Sequence, residues 1–157
     1  MKRLINIISS VILLILVLII AVIFIPKLFS IEPMVVVSGS MEPSYMKGSL
    51  LYVKEDTGGI QTGDAITFYR NGELVTHRVV EINEKTYTTK GDANQVNDVQ
   101  PVAWSDVVGV PVFDIPVLGY PASFLGTAQG KLVFIVLLII FTGITVLTDK
   151  KMEKTNG

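Results

Sequence analysis

Residues 4–25 form a run of apolar side chains broken only by Asn6, Ser9 and Ser10 and preceded by Lys2 and Arg3. As a helix rising about 1.5 Å per residue, such a run covers a ~30 Å hydrocarbon core. A cleavable leader ends at a pair of small residues, and Ile25-Pro26-Lys27-Leu28-Phe29 offers none, so an uncleaved anchor is expected. A second run, residues 132–148, lies between Lys131 and Asp149-Lys150-Lys151. It is short for a span, but flanking lysines can snorkel to lengthen it. Lys2, Arg3, Lys150, Lys151 and Lys154 flank the two runs, whereas residues 26–131 hold eight basic and twelve acidic residues, a net charge of −4. Basic flanks stay on the cytoplasmic side. The expectation is a cell-membrane protein with two spans, an extracytoplasmic domain of residues 26–131, both termini in the cytoplasm, and a cytoplasmic tail over 149–157 that is polar and disordered from Lys150 to Gly157.

With 157 residues, half of them apolar, the chain has room for one small domain besides the spans. A formal charge of −1 and no cluster of Lys and Arg exclude a nucleic-acid partner. Cysteine is absent, which removes thiol nucleophiles and disulfides, and a single histidine cannot build a His-rich metal site. No metal or cofactor is expected. One histidine still suffices for acid–base chemistry.

The middle reads as a small antiparallel β domain. Met34-Val35-Val36-Val37 and Ser49-Leu50-Leu51-Tyr52-Val53-Lys54 have strand composition. Ala65-Ile66-Thr67-Phe68-Tyr69-Arg70 and Glu73-Leu74-Val75-Thr76-His77-Arg78-Val79-Val80 flank Asn71-Gly72, the dipeptide of a type I′ hairpin turn. A second hairpin turns at Asn83-Glu84-Lys85 into Thr86-Tyr87-Thr88-Thr89-Lys90. Residues 91–101 are a polar loop, and residues 107–113 return as a strand in which Pro111 marks an edge or a bulge. Residues 115–121, apolar and broken by prolines, suit a membrane-interface surface.

Within this domain Ser40 is the candidate nucleophile, in Ser38-Gly39-Ser40-Met41-Glu42-Pro43, about fourteen residues past the first span. A serine hydroxyl needs a base to take its proton, and His77 is the one imidazole available. Val75, His77 and Val79 alternate onto one strand face, so the ring shares the side of apolar neighbours. A carboxylate must then hold the imidazole, and residues 91–98 offer Asp92 and Asp98, between which spacing does not choose. Ser38 and the Ser40 amide are the local oxyanion donors.

These motifs resemble the type I signal peptidases, peptidase family S26. Ser38-Gly39-Ser40-Met41-Glu42-Pro43 looks like their nucleophile box, Gly63-Asp64-Ala65-Ile66-Thr67-Phe68 their glycine-aspartate strand entry, and Thr76-His77-Arg78-Val79-Val80 their general-base box. Histidine rather than lysine at position 77, followed by Gly91-Asp92-Ala93-Asn94 and Asp98, resembles the endoplasmic-reticulum and archaeal branch. The resemblance covers residues 34–120. It implies a mainly β fold, a small barrel-like catalytic domain of signal peptidase/LexA-like type anchored by N- and C-terminal transmembrane helices. It implies Ser40 as nucleophile, His77 as general base, Asp98 as its orienting carboxylate with Asp92 in support, and Ser38 in the oxyanion hole. The implied partners are signal peptides of exported preproteins and the lipid bilayer, with accessory subunits unknown. Met34, Val35, Val36 and Val37 would dock the substrate along a strand edge. The chain departs from the lysine-type members in having no room for their extra β domain. The rival expectation is a non-catalytic, membrane-anchored β module that binds exported proteins or scaffolds a complex, with Ser40 and His77 far apart.

Overall fold

The structure, a computed structural model, describes the backbone of residues 2–156 and the side chains of residues 4–148. The flanking charges Lys2, Arg3, Lys150, Lys151 and Lys154 lie outside the described side chains. The chain forms two units, Pro26–Ala122 and the paired ends Met1–Ile25 with Ser123–Gly157.

The unit made of the ends is helical. Helix α1 spans Lys2–Phe24, and its apolar side chains stay exposed, among them Leu4, Leu14 and Leu18. A helix apolar on every face yet unburied by protein has the character of a lipid-facing segment. Helix α2 spans Gly119–Gly126 and α3 Ala128–Asn156. The segments Leu4–Phe29 and Ala128–Thr148 are long and apolar enough to cross a membrane, and α1 and α3 pack against each other.

Three features at the C-terminal end differ from expectation. Helix α3 starts at Ala128, ahead of the apolar run, because the Thr127 hydroxyl accepts the Gly130 amide at 2.9 Å and caps the first turn. It continues to Asn156, where a disordered tail was expected: lengthening a nucleated helix is cheap, and Lys, Met and Glu are good helix formers. Helix α2 occupies a stretch read as Pro-broken, since Pro121 falls in its first turn, where a missing N–H breaks no helical bond.

The β unit contains β1 (Ile31–Val35), β2 (Leu50–Lys54), β3 (Ala65–Arg70), β4 (Glu73–Asn83), β5 (Thr86–Lys90), β6 (Val102–Ala103) and β7 (Val107–Ile115). All pairs are antiparallel, in the order β1-β2-β7-β3-β4-β5-β6, which leaves β1 at one end. Strand β1 closes earlier than the expected 34–37, since its last rung is Val35 with Leu50. The β3–β4 hairpin turns on Asn71 and Gly72 alone, with φ of 53° and 82°, the positive values a type I′ turn requires. The second hairpin is tighter than expected, because Asn83 pairs with Thr86 and only Glu84 and Lys85 form the loop.

Pro111 marks a bulge in a strand that has a neighbour on each side. Strand β7 pairs with β3 through Val107 and Gly109 and with β2 from Val110 onward. Tyr52 faces Phe113 and Val53 faces Pro111, so Val112 is the extra residue. Pro111 lies beyond the last β3 rung, where its missing amide removes no bond to that strand. The Tyr52 and Phe113 rings stack across the pair at 4.4 Å.

The core gathers Ile66, Phe68, Val79, Tyr87 and Val102, with Val75, Val107 and Val110 packed against it. Each large apolar side chain fully buried here stabilises the fold by about 1.5–3 kcal/mol. Period-two alternation on β4 points Val75, His77 and Val79 toward this core. A bulge at Val80 interrupts the β4–β5 pairing, since Val79 faces Thr89 and Glu81 faces Thr88, and the pairing resumes through Asn83 and Thr86.

Candidate active site

Past β1 the chain runs through Val36 and Val37 and folds into a series of turns over residues 38–45. The Glu42 amide donates to the Gly39 carbonyl at 3.1 Å and the Tyr45 amide to that of Met41 at 2.9 Å, and the Glu42–Pro43 bond is cis. Met41 is buried and pins the turn to the interior, which leaves its neighbour Ser40 half-buried at the surface. The loop after β5 holds this turn from the other side. The Ala93 amide donates to the Ser40 carbonyl at 2.9 Å, and a Cβ at Gly91 would lie 2.6 Å from that oxygen, a close approach that only glycine allows.

His77 leaves the buried face of β4, 7% exposed, and packs edge-on against Phe68 at 6.3 Å. Its Nδ1 lies 2.7 Å from Asp98 Oδ2 and its Nε2 lies 3.3 Å from Ser40 Oγ. A carboxylate only accepts, so Nδ1–H is the donor to Asp98, and Nε2 is left with the lone pair that accepts the Ser40 proton. Ser40 has one proton to give. With it directed at His77, the 3.2 Å contact between Ser38 Oγ and Ser40 Oγ has Ser38 as donor. This is the arrangement a hydroxyl nucleophile needs: a base in line and a second hydroxyl at hand for the charge that develops.

The two carboxylates divide. Asp98 Oδ2 also accepts the Thr89 hydroxyl at 2.7 Å and forms an ion pair with Arg70 Nη1 at 3.0 Å, and the Asp98 amide donates to the Thr89 carbonyl at 2.8 Å. Burial pushes the Asp98 carboxyl upward, but the donors Thr89, His77 and Arg70 together hold it below the usual carboxylate range. Asp92 faces Arg78 instead, at 2.7 Å from Nε and 2.6 Å from Nη2, and accepts the Ser44 hydroxyl at 2.5 Å. Chiefly through the Arg78 hydrogen bonds, with burial opposing, the Asp92 carboxyl is also held low, and the Arg78 guanidinium is raised in return.

A cleft of about 220 Å³ opens beside Ser40. Met34, Val35, Val36 and Val37 line it from β1 and its continuation, and Leu74, Val75 and Thr76 from β4. Ser38 and Ser40 lie in the same wall, and Thr67, hydrogen-bonded to Thr76 at 2.8 Å, also faces in.

Comparison with known proteins places the chain in a family. The family described as signal peptidase, peptidase S26, matches residues 8–101, more than half of the chain. The chain belongs to the S26 signal peptidase family. It is 42% identical over 89 residues to signal peptidase I W of Bacillus subtilis (strain 168), covering 52% of this chain and 47% of that protein. It is 39% identical over 72 residues to the signal peptidase complex catalytic subunit sec11 of Dictyostelium discoideum, covering 41% and 40% of the two. The corresponding subunit of Yarrowia lipolytica (strain CLIB 122 / E 150) is 32% identical over 113 residues, covering 62% and 66%. The chain thus spans about half the length of the first of these relatives and less than half of the second.

In this S26 chain every site residue expected from the sequence except Asp92 gathers around Ser40, His77 or the cleft, while Asp92 joins Arg78 and Ser44. Sequence reasoning passed over Arg70, Thr89, Arg78 and Ser44. Thr89 had a signal: it shares alternation with Tyr87 on β5 and pairs with Val79, two residues from His77. Arg70 had none, because an arginine beside a hairpin turn has the appearance of a solvated charge.

Proposed function

We propose that this protein is a membrane-bound serine endopeptidase that removes N-terminal signal peptides from exported preproteins. One observation carries the reading: in an S26 chain, the only histidine stands between the Ser40 hydroxyl at 3.3 Å and the Asp98 carboxylate at 2.7 Å. The peptide lies extended in the cleft between residues 34–37 and β4, with small side chains before the scissile bond. Ser40 Oγ attacks the scissile carbonyl carbon while His77 Nε2 takes the hydroxyl proton, and Asp98 stabilises the imidazolium. The Ser38 hydroxyl and the Ser40 amide receive the oxyanion. His77 returns the proton to the leaving amine, and water, activated by the same base, releases the signal peptide from the acyl-enzyme.

The proposal extends to placement. The two apolar helices anchor a barrel-like catalytic domain of residues 26–131, whose sheet is bent at the Val112 and Val80 bulges, on the extracytoplasmic face. The excess of acidic over basic residues in 26–131 and the lysines and arginine at the chain's ends support that orientation. The relatives named as catalytic subunits of a signal peptidase complex support a search for accessory subunits here. The rival binding-module reading requires Ser40 and His77 far apart, and their separation argues against it.

Incubating the full chain in detergent with a preprotein tests the reading. Wild-type protein releases the mature product, whereas Ser40→Ala reduces cleavage by about 10³-fold or more. Cleavage by Ser40→Ala at the wild-type rate overturns it.

A further inference from the structure

Asp98 Oδ2 is crowded: one oxygen accepts from His77 and Thr89 and is ion-paired with Arg70 as well. Two of these have plain tasks. His77 is the base, and Thr89, with the Asp98 amide bound to its carbonyl, fixes the carboxylate to β5. Arg70 is redundant for holding Asp98 in place, and yet it is tightly built in. It closes β3, its guanidinium lies 4.9 Å over the Phe68 ring, its Nη2 donates to the Gln100 carbonyl at 2.8 Å, and its side chain is only 22% exposed. The Phe68 ring beneath it is the one that His77 meets edge-on. Side-chain entropy makes such immobilisation costly for an arginine, and a cation set on the acceptor oxygen of a catalytic base changes that oxygen's chemistry.

Resting on the signal peptidase reading above, we propose that Arg70 is a positioning residue that shares the Asp98 carboxylate with His77 and so weakens the hold of Asp98 on the imidazolium formed during the reaction. The guanidinium and the imidazolium compete for the same oxygen. Without the guanidinium, Asp98 gives its whole charge to the imidazolium and the pair holds its proton more tightly. The other charged groups near His77 and Arg70 are Arg78 beside His77 on β4, Asp92 in the loop, Glu73 opposite Arg70 on β4, and Asp106, which lines a cleft with Arg70. Ser40 and Thr89 complete the surroundings as neutral donors.

Because His77 is the only histidine, its imidazole C2–H resonance in the full chain in detergent micelles needs no assignment. Titrating wild-type, Arg70→Met and Arg70→Lys protein without substrate reads the pair directly. For Arg70→Met, which keeps an apolar stem over Phe68, the titration midpoint rises by about 0.5–1 pH unit, the size expected of one partly screened charge a few ångströms away. The acid limb of the kcat/KM profile for preprotein cleavage moves upward by the same amount, with KM unchanged within about twofold. Arg70→Lys restores the cation without the planar fork, so it keeps the wild-type midpoint even though it loses the Gln100 contact. An unchanged or lowered midpoint in Arg70→Met, or equal shifts in the Met and Lys variants, overturns the proposal. Failure of the wild-type protein to cleave any preprotein sinks the signal peptidase reading alone, since the resonance is followed without substrate.

Discussion

Asp92 and Asp98 leave the same loop and meet neighbouring residues of one strand, Arg78 and His77. Alternation sends those two partners to opposite faces of β4. On the inner face Asp98 meets an imidazole that can gain and lose a proton, backed by Thr89 and Arg70. On the outer face Asp92 meets a guanidinium that never loses its proton, in a two-pronged contact that also takes in Ser44. Both carboxyls are held below the usual range, but for Asp98 the donors must overcome burial, whereas for Asp92 the arginine dominates. A lowered carboxylate alone therefore does not mark the orienting group; the partner's capacity to exchange a proton does. The outer pair has a different task. It ties the loop to β4, and through Ala93 and Gly91 the same loop grips the carbonyl of Ser40.

The sharpest break between the two comes from Asp98→Asn. The amide cannot stabilise an imidazolium and can present its NH₂ group to Nδ1, which favours the wrong tautomer. On the signal peptidase reading kcat falls by about 10³–10⁴-fold, with folding intact. Preprotein cleavage by the purified variant, with its thermal unfolding as control, measures both. A loss under tenfold would give the orienting task to another group.

Asp92→Asn should instead show itself in stability. Neutralising one partner of this half-buried pair leaves Arg78 with the Gly63 carbonyl at 2.7 Å and the Ser44 hydroxyl at 3.3 Å as acceptors and costs about 1–2 kcal/mol, with a smaller loss of kcat as the loop loosens around Ser40. The pH dependence has a definite sign. A carboxyl whose folded-state pKa is depressed stabilises the fold above its unfolded value of about 3.9, and that stability is lost as pH falls through the folded value. Urea unfolding should therefore show a gap between wild-type and Asp92→Asn protein that is full at pH 7 and closes below about pH 4. A gap that persists undiminished at lower pH would mean that Asp92 acts through its shape rather than its charge.

This division of labour explains what could be read in advance. The Asn71-Gly72 turn and the alternation of Val75, His77 and Val79 are local patterns, and both were legible, as was the order of the motifs that bear Ser40 and His77. Which aspartate reaches His77 depends on how residues 91–98 cross the sheet, and a residue count holds no information on that path. Helix α3 could have been started correctly from Thr127, an N-cap residue ahead of the apolar run, whereas the prolines disguised α2. Arg70 stayed hidden because its partners, Phe68, Asp98 and Gln100, come together only when the loop folds back onto β3.

The smallest expected effect lies on the outer face, at Ser44. Its hydroxyl donates to Asp92 Oδ2 and accepts from Arg78 Nη2 at 3.3 Å, so it belongs to the clamp and to no atom of the Ser40–His77–Asp98 line. The residue is exposed, so water can replace both contacts in Ser44→Ala, and the loss is about 0.5–1 kcal/mol or less. Cleavage should stay within about twofold of wild type, since a hydroxyl that touches neither base nor nucleophile contributes no differential stabilisation of the transition state. Measured beside Asp98→Asn under one set of conditions, this variant bounds the comparison from below. A drop in kcat approaching that of Asp98→Asn, with thermal stability unchanged, would mean that the Arg78 side takes part in the chemistry, and the two faces of β4 would have to be read as one site.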